Sequence, residues 1–372
     1  MPEFLTERAV ARVSASALCD NFRALAGFAE GHATEGHSPR IIAVVKANAY
    51  GHGINLAVPA FLRGGCTFFA VATLNEALAV RRLAPGADIL ILGYTPPDHA
   101  KVLAQNALTQ TVFSREYATA LAKSATVSGV LVKTHLKIDG GMCRLGFSPR
   151  GLEDILFAAT APHLKTEGIY THFPCADTDI EGIRAAFSRF LACRAALSAR
   201  GFTLFAHAAA SAALLRAPET LLDGARVGLA LYGIPPVATA LPLRRALKLT
   251  APIVQIREVA AGTPIGYGGT FVTARPARIG TLPIGYADGV SRRFGKTVGQ
   301  VRVWCGNTAF SAPVAGNICM DQMMIDLTNT PAELGDRAEL FEDITKAATA
   351  LDTIPYELLT AIGERVVRKR VK

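Results

Sequence analysis

The 372-residue chain lacks several things, and each absence removes a class of protein. Its seven cysteines, at 19, 66, 143, 175, 193, 305 and 319, form no C-x-x-C pair and are odd in number. That argues against a disulfide framework and for reduced, mostly buried thiols. The eight histidines include no pair at helical spacing with a carboxylate, and no Cys/His cluster has ligand spacing, so no metal site is expected. There is no early G-x-G-x-x-G, no Walker phosphate loop and no G-x-S-x-G elbow. No apolar run reaches the length needed to span a bilayer. The start, Met1-Pro2-Glu3-Phe4-Leu5-Thr6-Glu7-Arg8, has neither the basic n-region nor the apolar core of a signal peptide, and a cytoplasmic location is expected. Charge is sparse too: 19% of residues are charged against 50% hydrophobic, which excludes wholesale disorder and supports a large core. The net charge of +9 is scattered, with one dense run at 365–372 and no nucleic-acid motif beside it. It reads as solubility and attraction for anionic ligands, not nucleic-acid binding.

What is present has a rhythm. Apolar residues at helical spacing (Leu18, Phe22, Leu25, Phe28) predict a helix over 14–30, capped by Ser14 or Ser16, followed by a polar stretch at 31–40. Short apolar runs then recur at 41–45, 68–72, 89–92, 109–113, 131–136, 167–171, 203–206 and 226–231, and amphipathic segments such as 75–83 and 183–197 separate most of them. Eight βα units over this length predict an α/β fold, a TIM-like (β/α)8 barrel; a doubly wound open sheet is the alternative. Near 242–249 helical periodicity gives way to short alternating segments at 253–259, 278–284 and 301–304, the last turning at Gly306-Asn307. This predicts a mostly β C-terminal domain with a helical piece at 332–351. The division expected is 1–243 for the barrel and 244–372 for the β domain.

The run 41–45 delivers Lys46 into the turn Ala47-Asn48-Ala49-Tyr50-Gly51-His52-Gly53. Most lysines at strand ends face solvent, but in α/β folds this rim is where ligands bind. The later runs end in polar clusters as well: His135 to Gly146, Tyr170-Thr171-His172, His207 with Ser211, and Arg226 to Gly233. Each alone is ordinary. Together they predict a cationic mouth in which Lys46, Lys137, Arg144 and Arg226 hold a phosphate ester or a carboxylate. A lysine desolvated among cations has its amine pKa lowered, which suits Schiff-base chemistry. The second half adds Gly266-Tyr267-Gly268-Gly269-Thr270, Gly285-Tyr286-Ala287-Asp288-Gly289 and Ile318-Cys319-Met320-Asp321-Gln322.

Lys46-Ala-Asn-Ala-Tyr-Gly-His-Gly and these later motifs, in order from about residue 8 to 326, closely resemble the alanine racemases. The resemblance implies a barrel plus β domain, pyridoxal 5′-phosphate as cofactor, and a head-to-tail homodimer with active sites at the subunit interface. It implies interconversion of L- and D-alanine, supplying D-alanine for peptidoglycan. Lys46 would carry the cofactor as a Schiff base and act on the D side, and Tyr267 of the partner subunit on the L side. Two groups suit the reaction, because a racemised carbon loses a proton on one face and gains it on the other. Tyr50, Ser211 and the Gly228 backbone would anchor the phosphate, with Tyr232 nearby. Arg226 would face the pyridine nitrogen, and His172 would brace Arg226 and Tyr267. Arg144 and the Met320 backbone would hold the substrate carboxylate, with Tyr286 and Asp321 lining the site, and Lys137 matches a lysine often carbamylated.

The chain departs from the family pattern at Gly140 and Cys143 in the loop before Arg144, at Ala210 before the phosphate serine, at Asn317, and at Glu364 in place of a tyrosine. These positions bear on cofactor affinity and on the substrate pocket, so serine or a broader amino-acid range is an alternative substrate class. A related barrel decarboxylase should show a Gly-rich phosphate segment and a cysteine acid in the β domain; no such segment is seen. A pyridoxal-phosphate carrier on the same barrel would end near residue 240.

Overall fold

A computed structural model of the chain describes residues 8–33, 38–296 and 299–371. The segment read for a leader (1–7), part of the polar stretch (34–37) and the last residue of the basic run lie outside the described residues. Two compact units divide the rest. One comprises Ser16–Ala49 and Ile54–Arg244; the other holds the described residues up to Ala15, Tyr50–Gly53, and those from Arg245 on.

The first unit is the eight-stranded parallel barrel. Its strands are Arg40–Val44, Phe68–Val71, Asp88–Ile91, Thr109–Val112, Val132–Lys137, Leu164–Tyr170, Phe205–His207 and Gly224–Val227. Each pairs with its predecessor through the seventh, and the eighth pairs back onto the first, Ile42 opposite Arg226. The seventh and eighth meet through backbone bonds from Asp223 to Ala206 and from Arg226 to Ala209, which brings the barrel close to closure. Most positions of these strands are apolar or uncharged because helices cover the outside and packed side chains fill the inside; the charges fall mainly near strand ends, as at Arg40, Asp88 and Lys137. Phe68–Val71, Thr109–Val112 and Gly224–Val227 are buried at every position. The helices fall where the periodicity places them, including Ala15–Gly31, Leu74–Leu83 and Ile180–Ser198.

The second unit is mostly strand, built on a six-stranded sheet with a three-stranded sheet (Gln255–Val259, Ala277–Leu282, Met323–Asp326) and a short hairpin beside it in sequence. Its composition differs from the division at 243/244. The strand Val10–Ser14 lies in this six-stranded sheet, antiparallel to Leu247–Pro252 and parallel to Val367–Val371. The helical piece expected over 332–351 is also shorter: Arg337–Leu340 is a strand, and helix begins at Ile344, capped by the Asp343 carboxylate. So short a strand merges, in sequence, with the helical pattern that follows it.

Tyr50–Gly53 belongs to this second unit as well. Arg368 Nε donates to the Gly51 carbonyl at 3.0 Å, and Gly51 has φ +76. A Cβ there would sit 2.1 Å from the Leu359 carbonyl oxygen. Gly51→Ala therefore meets both a backbone wall and a left-handed φ, and we expect a loss of about 2–4 kcal/mol. A denaturation midpoint equal to that of the native chain would show that the Leu359 segment yields instead.

Candidate active site

The barrel places Lys46 two residues beyond the end of its first strand and bends the chain sharply there. Ala47, Asn48, Ala49 and Tyr50 all have φ between +51 and +55, one turn of left-handed backbone without a glycine. Such residues cost about 1–2 kcal/mol each, so the turn persists because its surroundings hold it. The Ala49 N–H donates to the Val45 carbonyl at 2.9 Å, the Ile54 N–H donates to Asn48 Oδ1 at 2.8 Å, and the Ala47 N–H donates to Glu76 Oε1 at 2.6 Å.

The other strand ends bring Lys137, His172, Arg226, Ser211 and Gly228 to the same rim, with Arg144 in the loop after the fifth strand. Burial, then the Arg144 charge, lowers the Lys46 amine from its ordinary pKa, and Glu76 partly opposes this. Lys137 is 6% exposed and pulled down to about 8 by burial and by the charges of Arg226, Arg144 and Lys46. His172 falls to about 3 by burial among Arg226, Lys137, Arg144 and Lys46. These mutual influences put Lys46, Lys137, Arg144, His172 and Arg226 within electrostatic reach of one another.

Arg226 is the most constrained member, at 4% exposure. Its guanidinium donates to the carbonyls of Thr171 (2.5 Å), His207 (2.9 Å) and Ala208 (3.0 Å) and to His207 Nδ1 (2.7 Å), and lies 4.9 Å over the Tyr170 ring. An accepting Nδ1 assigns the His207 proton to Nε2, which donates to His135 Nδ1 at 3.0 Å. The His207 ring stacks on Tyr170 at 4.8 Å, and the Tyr170 hydroxyl meets Thr111 at 2.9 Å. Sequence reading does not single out His135 or Tyr170 for a role, because their partners come from strands far apart in the chain.

Burial holds His135 near pKa 3 and His207 well below its ordinary value. Both histidines stay neutral in the fold while the unfolded chain protonates them below about pH 6.5. Their contribution to stability is thus full above pH 6.5 and is lost as the pH falls toward 3. Counting His172, which is also held near 3, we expect unfolding to take up three extra protons in that window, each worth about 1.4 kcal/mol per pH unit. Urea midpoints at stepped pH check this, and a flat profile between pH 6 and 4 would contradict it.

In the loops after the seventh and eighth strands, the Gly228 N–H donates to Ser211 Oγ at 3.0 Å. Tyr232, fully buried, donates to the Val44 carbonyl at 2.9 Å and so braces the first strand next to Lys46.

The second unit holds the remaining candidates. Tyr267 is 71% exposed, on a turn whose carbonyl accepts from Asn317 Nδ2 at 2.8 Å. The Gly285–Asp288 turn is stitched to the 317–321 strap: Tyr286 N–H donates to Cys319 O at 3.1 Å and Ala287 N–H to Met320 O at 3.0 Å. A Cβ at Gly285 would fall 2.3 Å from Cys319 O, so only glycine allows that approach. Asp321 accepts from Arg365 at 2.8 Å, and buried Asp288 faces Arg365 and Arg8. Tyr50 groups here too, its ring 5.8 Å from Tyr356, and burial raises its hydroxyl pKa. Among the described residues no cluster of His, Cys, Asp and Glu could hold a metal ion, and no helix is long and apolar enough to cross a membrane.

The family model for the alanine racemase N-terminal domain matches residues 13–236, and that for the alanine racemase C-terminal domain matches 246–370. The alanine racemase of Desulfovibrio desulfuricans is 38% identical over 340 residues, covering 88% of this chain and 90% of the relative. Among solved structures, the alanine racemase of Streptomyces coelicolor superposes with TM-score 0.89 at 32% identity, covering 98% of both chains. That of Bacillus anthracis, solved with bound L-Ala-P, gives 0.86 at 33% identity, covering 98% of this chain and 95% of its own. With both domain models matched in order and a relative of this identity aligned over nine-tenths of its length, the chain belongs to the alanine racemase family.

Proposed function

We propose that the chain interconverts L- and D-alanine with pyridoxal 5′-phosphate, using Lys46 and Tyr267 as its two acid/base groups. The observation that carries this reading is the Lys46 amine, lowered in pKa by burial and by Arg144 at the end of the first barrel strand. The residues present suit the cofactor chemically. A depressed amine pKa suits condensation with an aldehyde, and the loops after strands seven and eight of such a barrel are where phosphate is commonly bound. There the Ser211 hydroxyl and the Gly228 amide would hold the phosphate, assisted by Tyr50 and with Tyr232 behind them. When bound, the cofactor supplies the electron sink that acidifies the substrate α-carbon.

The chain's own residues do the rest. Lys46 takes or returns the proton on the D side, and Tyr267, supplied by the partner subunit of a homodimer, does so on the L side. The high exposure of Tyr267 in its own chain suits a group that serves a neighbour. Arg226, already donating to three carbonyls, keeps its charge and offers the pyridine nitrogen a hydrogen bond without a transferable proton, which favours racemisation over transamination. His172, kept neutral by burial and then by the Arg226 charge, would support that arginine beside His207, which accepts from it directly. Arg144 is the barrel residue suited to hold the substrate carboxylate. Lys137, near pKa 8, has enough neutral amine to form a carbamate that would offset the local positive charge. The product would serve wall-precursor synthesis in the cytoplasm.

The test is chiral chromatography of L-alanine, and separately L-serine, after incubation with the full chain loaded with pyridoxal phosphate. D-alanine is the expected product, and D-serine would mark a wider pocket. A loaded protein that forms neither would overturn the reading.

A further inference from the structure

We infer that Glu76 is a positioning residue for Lys46, its carboxylate clamping the turn that follows the lysine and standing as that amine's acidic neighbour. The inference rests on the reading of Lys46 as the cofactor lysine. Glu76 is the third residue of helix Leu74–Leu83 and completes a reciprocal cap with Thr73: Thr73 Oγ1 accepts from the Glu76 N–H at 3.3 Å, and Glu76 Oε2 accepts from the Thr73 N–H at 3.2 Å. A cap requires no more than that. Glu76 does more. Oε2 also takes the Ala72 N–H at 2.8 Å, and Oε1 takes the Ala47 N–H at 2.6 Å.

One carboxylate thus joins the loop after the second strand to the turn after the first, and the two strands are hydrogen-bonded neighbours. The Ala47 bond is the shortest of the four and falls on the first of the left-handed residues, directly after Lys46. Because the helix fixes the carboxylate, the helix also fixes the direction in which the chain leaves Lys46 and therefore how the amine is presented. The charges that bear on this amine are Arg144 and Glu76, with Lys137 in electrostatic reach of it. Of these Glu76 alone is acidic, and it favours the protonated amine while Arg144 opposes it.

The experiment uses the full chain stripped of cofactor, with pyridoxal phosphate as the probe, and follows the visible Schiff-base band against pH. The Lys46 nitrogen adds to the aldehyde carbon, a C–N bond forms, and the carbonyl oxygen leaves as water, so the rate follows the neutral fraction of the amine and its placement. In Glu76→Gln, which keeps size and loses charge, the pH for half-maximal rate should move down by about 0.5–1 unit, as expected when an opposite charge is removed. In Glu76→Ala the rate should fall at least about tenfold at saturating pH, since misplacing a reacting group by an ångström is costly. Thr73→Ala removes a cap partner and leaves the Ala47 bond, so it should lower the melting temperature while changing the rate less than about threefold.

An unshifted pH profile in Glu76→Gln, or equal rates in Glu76→Ala and Thr73→Ala, would reduce Glu76 to a helix cap and overturn the inference. Should Glu76→Ala not fold, the Glu76→Gln profile decides alone. Lys46→Ala separates the two readings. A band that survives Lys46→Ala refutes the cofactor-lysine assignment, whereas a band that needs Lys46 but ignores Glu76 refutes only this one.

Discussion

Lys46→Ala should abolish the visible Schiff-base band and lower alanine racemisation by at least about 10⁴-fold, the upper range for losing one acid/base group with a covalent anchor lost besides. The size of the effect follows from the neighbourhood. Removing the amine leaves Lys137 as the other amine among these cationic residues, and it ends a different strand, while Arg226 is committed to carbonyls and His207. The proposed phosphate anchors Ser211 and Gly228 are untouched, so the variant should still bind the cofactor, now as the free aldehyde. Absorbance and equilibrium dialysis measured together separate the two effects. Full activity in Lys46→Ala would end the assignment.

Tyr267→Phe should keep the band and lose net conversion by about 10²–10⁴-fold in both directions, since each direction needs both groups. The informative signal is partial. With Lys46 intact, D-alanine should still exchange its α-proton with deuterated solvent, while L-alanine should not. The substituted ring should keep its place because the turn is held through its backbone: Asn317 Nδ2 donates to the Tyr267 carbonyl, not to the hydroxyl. Loss of the hydroxyl is therefore a clean deletion. Undiminished racemisation, or equal exchange of both isomers, would refute the two-group assignment.

The eight runs overlap the eight barrel strands because parallel strands buried on both faces are rich in apolar residues, although the last run, 226–231, extends past its strand Gly224–Val227 into the turn Leu229–Tyr232. Lys46 and Lys137 are legible for a related reason: polar residues directly after such runs stand out, whereas Arg226 opens the eighth run and lies within its strand. The strand Val10–Ser14 is not legible as part of the β unit, because it runs without a break into the helix Ala15–Gly31 and its partners lie in the last third of the chain. Glu76 shows the limit most clearly. The pattern Thr73-x-x-Glu76 marks a helix start, but nothing in the string of residues says that the second carboxylate oxygen reaches Ala47. The same is true of His135 and His207, which meet only because the fifth and seventh strands curve around one interior. Local grammar reveals elements and rims; a contact between remote elements becomes visible when the barrel is built.

The pairing of Val10–Ser14 with both Leu247–Pro252 and Val367–Val371 also sets an order of events during synthesis. The barrel strands are all translated by residue 227 and can associate while the ribosome is still at work, since sequential βα units need only their neighbours. The sheet of the second unit cannot be completed until its last strand has left the exit tunnel. Tyr267 and the strap around Met320 belong to that unit and are translated after the barrel. Its first-made strand waits for its last-made one, so nascent chains should acquire the barrel's protease resistance well before that of the β unit.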